Sequence, residues 1–235
     1  MSSLQSRILI GIIGFPSVIY VILNHIYIFN IIVVFCFVLA FKEFVKIINT
    51  FNNQTYWFLF GIVYIFGSMV ALIYLRNIDN LLDTPFTFLL FAGVMINDSM
   101  AFIFGKAIGG PKILPIISPK KTYSGLLGGL LGSIVFITLC DMYFLNGFTN
   151  FYLSNTDKIF FVFVFNIVGF CGDSFESYIK RKAKIKDSSG ILLGHGGMFD
   201  RLDSLILTTP VTMFYVIAYY FCLLYTSPSP RDLRK

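Results

Sequence analysis

The chain has 235 residues, 57% of them hydrophobic and 13% charged, with a net charge of +6 and a mean hydropathy of +0.80. A water-soluble domain carries about 25% charged residues; roughly half that leaves too little polar surface to coat a globule, so lipid is the expected solvent. Cys36, Cys140 and Cys171 lie in or beside apolar runs without metal-ligand spacing, so the cysteines read as small buried hydrophobes.

Seven segments are apolar and long enough to be read as membrane helices: Ile8–Leu23, Ile26–Phe41, Tyr56–Leu75, Thr84–Phe104, Leu126–Leu145, Ile159–Phe175 and Leu202–Phe221. Only Asn24 and His25 separate the first two, which suggests a tight helical hairpin. With the N-terminus inside and sides alternating, Arg7, Lys42, Lys46, Lys106, Lys112, Lys120, Lys121, Lys180, Arg181, Lys182, Lys184, Lys186 and Arg201 share the cytoplasmic face. The far face receives Arg76 and Lys158. This asymmetry fits the positive-inside rule and supports a multi-pass topology; the membrane is expected to be a bacterial-type inner or plasma membrane. Residues 1–221 read as one integral membrane domain. The stretch Cys222–Asp232, CLLYTSPSPRD, resembles a translated sequencing adapter, so residues 222–235 are expected to be a non-native tail.

The longest polar stretches, Gly105–Ser124 and Ser177–Asp203, fall on the cytoplasmic side, and any chemistry has to come from them and the adjoining helix ends. Carboxylates at bilayer depth are costly unless paired, hydrated or metal-bound, which singles out Asp98, Asp173 and Glu176. On a continuing helix, Asp173, Glu176, Ser177, Lys180 and Arg181 share one face. Such a mixture of carboxylates and cations suits a metal and the phosphates it bridges. In Gly194-His195-Gly196-Gly197-x-x-Asp200-Arg201-x-Asp203-Ser204, glycines allow close backbone approach to phosphate, and Asp200 and Asp203 are hard oxygen ligands. Pro111, Pro115 and Pro119 argue for an ordered loop carrying Lys112, Lys120 and Lys121. The glycines of Ser124–Ser133 recur every four residues inside an apolar run, which is helix-packing geometry rather than a phosphate loop.

These residues resemble a known family. Ser177-x-x-Lys180-Arg181-x4-Lys186-Asp187 followed by the Gly194–Ser204 run is similar to the signature of phosphatidate cytidylyltransferases, the CDP-diacylglycerol synthases. The similarity extends through Gly172-Asp173, Ser118-Pro119-Lys120-Lys121-Thr122 and Asn97-Asp98, covering about residues 97–210, the catalytic half. Residues 1–96 resemble the family only in hydropathy and in Glu43. Leu193 stands where a proline is usual, Met100 and Phe102 where a glycine and a tyrosine are usual, and Ser189 where a glycine is common.

The resemblance implies an all-α polytopic fold of about seven to nine helices with its active site at the cytoplasmic face. It implies transfer of a cytidylyl group from CTP to phosphatidic acid, giving CDP-diacylglycerol and pyrophosphate in phospholipid biosynthesis. Mg²⁺, with room for a second cation, is the implied cofactor, held by some of Asp98, Asp173, Glu176, Asp187, Asp200 and Asp203. Lys180, Arg181 and Arg201 are expected to hold phosphates, and His195 to shape the nucleotide turn rather than act as base. Ser118, Lys120, Lys121, Thr122, Ser177, Lys186, Gly194, Gly196, Gly197 and Ser204 complete the expected substrate contacts. The partners implied are CTP, phosphatidic acid and the bilayer, with no nucleic acid; a homodimer is left open. Two rival readings are a CTP-dependent polyprenol or phytol-type lipid kinase and a non-enzymatic transporter. The kinase would release CDP instead of pyrophosphate. The transporter would carry its charges at the midplane in two repeated halves, whereas here they gather at one face in one half.

Overall fold

A computed structural model describes residues 18–145, 151, 153–189 and 196–218. Gly194 and His195, most of the first apolar segment and the terminal 222–235 stretch lie outside the described residues. Residues 18–24 are helical, and six longer helices follow: α1 (Ile26–Ile48), α2 (Gln54–Leu82), α3 (Phe86–Ala107), α4 (Tyr123–Phe144), α5 (Asn155–Lys182) and α6 (Phe199–Val216). Helices α2 to α5 are long and apolar enough to cross a membrane. They coincide with the third to sixth segments expected from sequence, and each extends beyond the apolar run at one or both ends. The chain is a largely helical membrane protein.

His25, expected within a hairpin turn, is a one-residue joint. Its N–H still bonds the Val21 carbonyl, and its own carbonyl accepts from Phe29. The proline-rich loop is a two-stranded antiparallel hairpin, β1 (Lys112–Leu114) and β2 (Ser118–Thr122), a departure from an all-α chain. Its register pairs Lys112 with Thr122 and Leu114 with Ser118, so three residues including Pro119 oppose Ile113. The irregularity accommodates a residue with no N–H to give the ladder. Thr122 then ends the hairpin and caps α4, its hydroxyl accepting from the Gly125 N–H at 3.1 Å.

Packing follows the rules of a lipid-solvated bundle. Large side chains such as Tyr27, Val63, Leu131, Tyr143 and Phe214 point outward, while Phe37, Phe44, Phe86, Phe161, Phe165 and Phe199 fill the interior. Small residues bring the α3 and α4 backbones together: a Cβ on Gly128 would lie 2.3 Å from Phe104, and one on Gly132 would lie 2.6 Å from Met100. The glycine stretch is therefore a packing seam, as its spacing predicts. Pro210 in α6 cannot donate to the Ile206 carbonyl one turn back. Ser68 of α2 donates to that carbonyl instead, so the gap left by proline becomes a helix–helix contact.

Candidate active site

Two adjoining features occupy the end of the bundle that carries the hairpin. The first is a cavity of about 340 Å³ between α3, β2, α4 and α5. Asp98, Ser118, Lys120, Lys121, Thr122 and Asp173, all singled out from sequence, line it beside Phe102, Leu126 and Phe170. The hairpin thus brings two lysines to the cavity, and the helices bring apolar side chains together with Asp98 and Asp173. Lys121 is held in place from several sides. Its Nζ lies 2.9 Å from Asp173, donates to Ser174 at 2.8 Å and to the Phe170 carbonyl at 3.3 Å, and sits 4.4 Å from the centre of the Phe170 ring. Lys120, one residue before, is exposed at the cavity wall.

Asn97 and Asn166 also line the cavity, and the sequence reading assigned neither a role. Asn166 lies in a π-helical turn of α5, Val164–Val168, and is buried; its amide donates to the Leu126 carbonyl at 2.9 Å, leaving Oδ1 without a hydrogen-bond donor among the described residues. Its signal in the sequence is a lone amide inside an apolar run.

The second feature is an acidic cluster. Oxygens of Asp173, Glu176 and Asp203 lie within 4.8 Å of one another. Asp173 and Glu176 stand three residues apart on α5, while Asp203 comes from α6. Gly172 allows the approach, since a Cβ there would lie 2.7 Å from the Asp203 carbonyl oxygen. Glu176 is 1% exposed, and neither carboxylate oxygen has a well-formed hydrogen bond among the described residues; Lys180 Nζ is 3.2 Å from Oε1. Asp98 is close enough to Asp203 for their charges to repel. Three carboxylates so close, with Lys180 the cation beside Glu176 and itself shared with Asp200, are costly unless further positive charge joins them. Hard oxygen ligands of this kind fit Mg²⁺.

Asp200, expected beside Asp203 as a ligand, is engaged differently. It pairs with Lys180 at 2.7 Å and accepts the N–H groups of Gly197 at 2.8 Å and Ser188 at 3.0 Å. Burial by itself would raise its pKa, but the Gly197 N–H, Lys180 and the Ser188 N–H hold it down to about 2. Lys180 therefore bridges Glu176 and Asp200 and ties α5 to the start of α6.

Glu43 joins the same junction from α1. Its buried carboxylate accepts from Ser188 Oγ at 2.8 Å, Ser189 Oγ at 2.5 Å, Met198 N at 3.1 Å and Phe199 N at 2.9 Å. Gly197 has no space for a side chain, because a Cβ would lie 2.0 Å from Ser188 Oγ and 2.2 Å from Glu43 Oε2.

Other expected residues are placed further out. Ser177 is buried, its hydroxyl 3.4 Å from Asp173, and Ser204 is buried with its N–H 2.6 Å from Asp203. Arg181 is exposed and donates to the Ile117 and Ile185 carbonyls at 3.2 and 3.0 Å, fastening the hairpin turn to the end of α5. Lys186, Asp187 and Arg201 are exposed, and Asp187 does not enter the acidic cluster.

A membrane bundle with a lysine-bearing cavity beside a carboxylate cluster has the groups for an enzyme acting on anionic substrates at a lipid surface. Residues 50–219 match the cytidylyltransferase family, and the chain belongs to that family. It is 36% identical to a phosphatidate cytidylyltransferase of Rickettsia bellii over 91% of this chain and 90% of that protein. The protein of the same name from Aquifex aeolicus is 37% identical over 72% of this chain and 58% of its own length. The one from Rickettsia typhi is 35% identical over 73% and 74% respectively.

Proposed function

We propose that this chain is a phosphatidate cytidylyltransferase: an oxygen of the phosphatidic acid phosphate attacks the α-phosphorus of CTP, forming CDP-diacylglycerol and expelling pyrophosphate. The observation that carries this reading is the cavity that puts Lys120 and Lys121 opposite Asp98 and Asp173, in a chain that belongs to the cytidylyltransferase family. The second pKa of a phosphate monoester is about 6, so the attacking phosphate is already largely dianionic at neutral pH. No strong general base is needed. The difficulty is the meeting of two anions, and fixed positive charge is the remedy.

Asp173, Glu176 and Asp203 would hold Mg²⁺, with Asp98 next to them; bound there, the cation would neutralise the phosphates and polarise the reacting phosphorus. Lys121, kept rigid by Asp173, Ser174 and Phe170, positions one phosphate, while the exposed Lys120 reaches another. Lys180 and Asp200 hold Glu176 and α6 in register rather than contacting phosphate. The apolar wall of Phe102, Leu126 and Phe170 would accept the glycerol and first acyl carbons of a lipid arriving from the bilayer. In the orientation set by the basic residues this end faces the cytoplasm, where CTP is available.

The test is pyrophosphate release by the purified, detergent-solubilised chain supplied with CTP, phosphatidic acid and Mg²⁺. Release that needs all three, with CDP-diacylglycerol appearing in step, is the expected result. Release of CDP with a phosphorylated lipid would instead identify a CTP-dependent lipid kinase.

A further inference from the structure

We infer that Glu43 is a positioning residue for the cation and nucleotide site: it docks the first turn of α6, and with it Asp203, against α5. The inference rests on the cation reading given above. Glu43 lies outside residues 50–219, the span that matches the family, yet its carboxylate accepts from Ser188, Ser189, Met198 and Phe199.

The geometry is specific to a carboxylate. Oε1 accepts from Ser189 Oγ and Met198 N, and Oε2 from Ser188 Oγ and Phe199 N. Each oxygen thus meets one hydroxyl and one backbone N–H. A hydroxyl can rotate away, but a backbone N–H at a helix start cannot. The N–H groups that open α6 have no partner on the preceding turn, and none comes from the side chain of Met198 at its N-cap. Glu43 supplies those acceptors from another helix, with its charge at the positive end of α6.

The position of Asp203 depends on this junction. Asp203 stands four residues, about one turn, beyond Phe199, and Gly172 leaves no slack between α5 and α6 at that level. Asp200 secures the same turn through Gly197, Ser188 and Lys180. The Ser188 hydroxyl lies 2.8 Å from Glu43 and 3.0 Å from Asp200, and has a single proton to give. Asp200 Oδ2 already has two N–H donors, so the hydroxyl is best spent on Glu43. The two carboxylates thereby share one clamp on α6.

Glu43→Gln places an amide N–H₂ against either the Met198 or the Phe199 N–H, whichever way the amide turns. Glu43→Asp keeps both acceptors on a side chain one methylene shorter. Phe37→Ala, in the core of the same helix, serves as a stability control remote from the clamp. The measurement is Mn²⁺ affinity of the full detergent-solubilised chain by electron paramagnetic resonance, read beside the half-saturating Mg²⁺ for pyrophosphate release. Outer residues that orient metal ligands are worth about 10–100-fold in affinity. Glu43→Gln is therefore expected to weaken Mn²⁺ binding about tenfold or more and to raise half-saturating Mg²⁺ in parallel. Glu43→Asp should show a smaller shift in the same direction, and it decides the matter if the glutamine variant does not fold. Phe37→Ala should lower the melting temperature and leave both cation values unchanged. Unaltered Mn²⁺ affinity in a folded Glu43 variant, with binding intact in the unchanged chain, would overturn the positioning role. Absence of Mn²⁺ binding by the unchanged chain would overturn the cation reading itself.

Discussion

The two ends of the bundle both carry buried or half-buried carboxylates with their donors in place, Glu43 and Asp200 among them, but the hairpin end also gathers a cluster that is short of donors. At the end away from the hairpin, Asp79 accepts from Thr84 Oγ1 and from the Phe86 and Thr87 N–H groups, capping α3 from the end of α2. Asp157 accepts from the N–H and hydroxyl of Ser154 and from Tyr215 at 2.7 Å, and Asp141 pairs with Lys158 at 2.6 Å. Each of these carboxylates meets donors suited to it. At the hairpin end, Asp173, Glu176 and Asp203 crowd within 4.8 Å, and Glu176 has no well-formed hydrogen bond among the described residues. A polar group with its donors in place maintains the architecture. A cluster left short of them marks a candidate functional site.

Neutralising one member of the cluster should give the largest effect. A cation at a phosphoryl centre contributes several kcal/mol, and about 1.4 kcal/mol is a factor of ten in rate. Asp203→Asn is therefore expected to lower kcat/KM by roughly three orders of magnitude while changing the melting temperature little, because it relieves repulsion from Asp98 and Asp173. Steady-state pyrophosphate release and a thermal melt read the two quantities. Near-normal turnover at limiting Mg²⁺ would remove Asp203 from the cation site.

At the opposite end the pattern should reverse. Asp79→Ala leaves two N–H groups of α3 and the Thr84 hydroxyl without their acceptor, a loss of about 2–3 kcal/mol. The melting temperature should fall, and turnover per folded molecule should stay within about twofold, well short of the tenfold that 1.4 kcal/mol at the barrier would give. A tenfold loss of turnover in the folded fraction would mean that the two ends communicate, and the division drawn between them would fail.

Much of this division was legible in the sequence, because the signature residues are close along the chain and the basic residues accumulate on one side. The seam of glycines between α3 and α4 could be read from its period alone. The hairpin could not: three prolines argue against helix, but strand pairing depends on what Lys112–Leu114 meets across the turn. Asp200 and Asp203 could not be told apart either. Three residues on a helix turn a side chain through about 300°, which left both aspartates on roughly the same side; only the neighbouring helix shows that one faces Lys180 and the other Asp173 and Glu176. The partners of Glu43 lie 145 to 156 residues further along the chain, and no local spacing encodes such a contact.

The smallest effect sharpens the comparison most, because it tests whether the far end is wholly architectural. Tyr215 of α6 donates to Asp157 and stacks on Phe160 with ring centres 3.7 Å apart. Tyr215→Phe removes the hydroxyl and keeps the ring. Asp157 retains the N–H and hydroxyl of Ser154, so its charge is not stranded. The net loss should be about 1 kcal/mol, visible as a small drop in melting temperature with unchanged half-saturating Mg²⁺ and CTP. The same helix that carries Asp203 into the acidic cluster carries Tyr215 at its other end. A shift in Mg²⁺ dependence on loss of this one hydroxyl would therefore show that α6 transmits its position along its length. An effect on stability alone would show that the clamp on its first turn isolates the site from the rest of the helix.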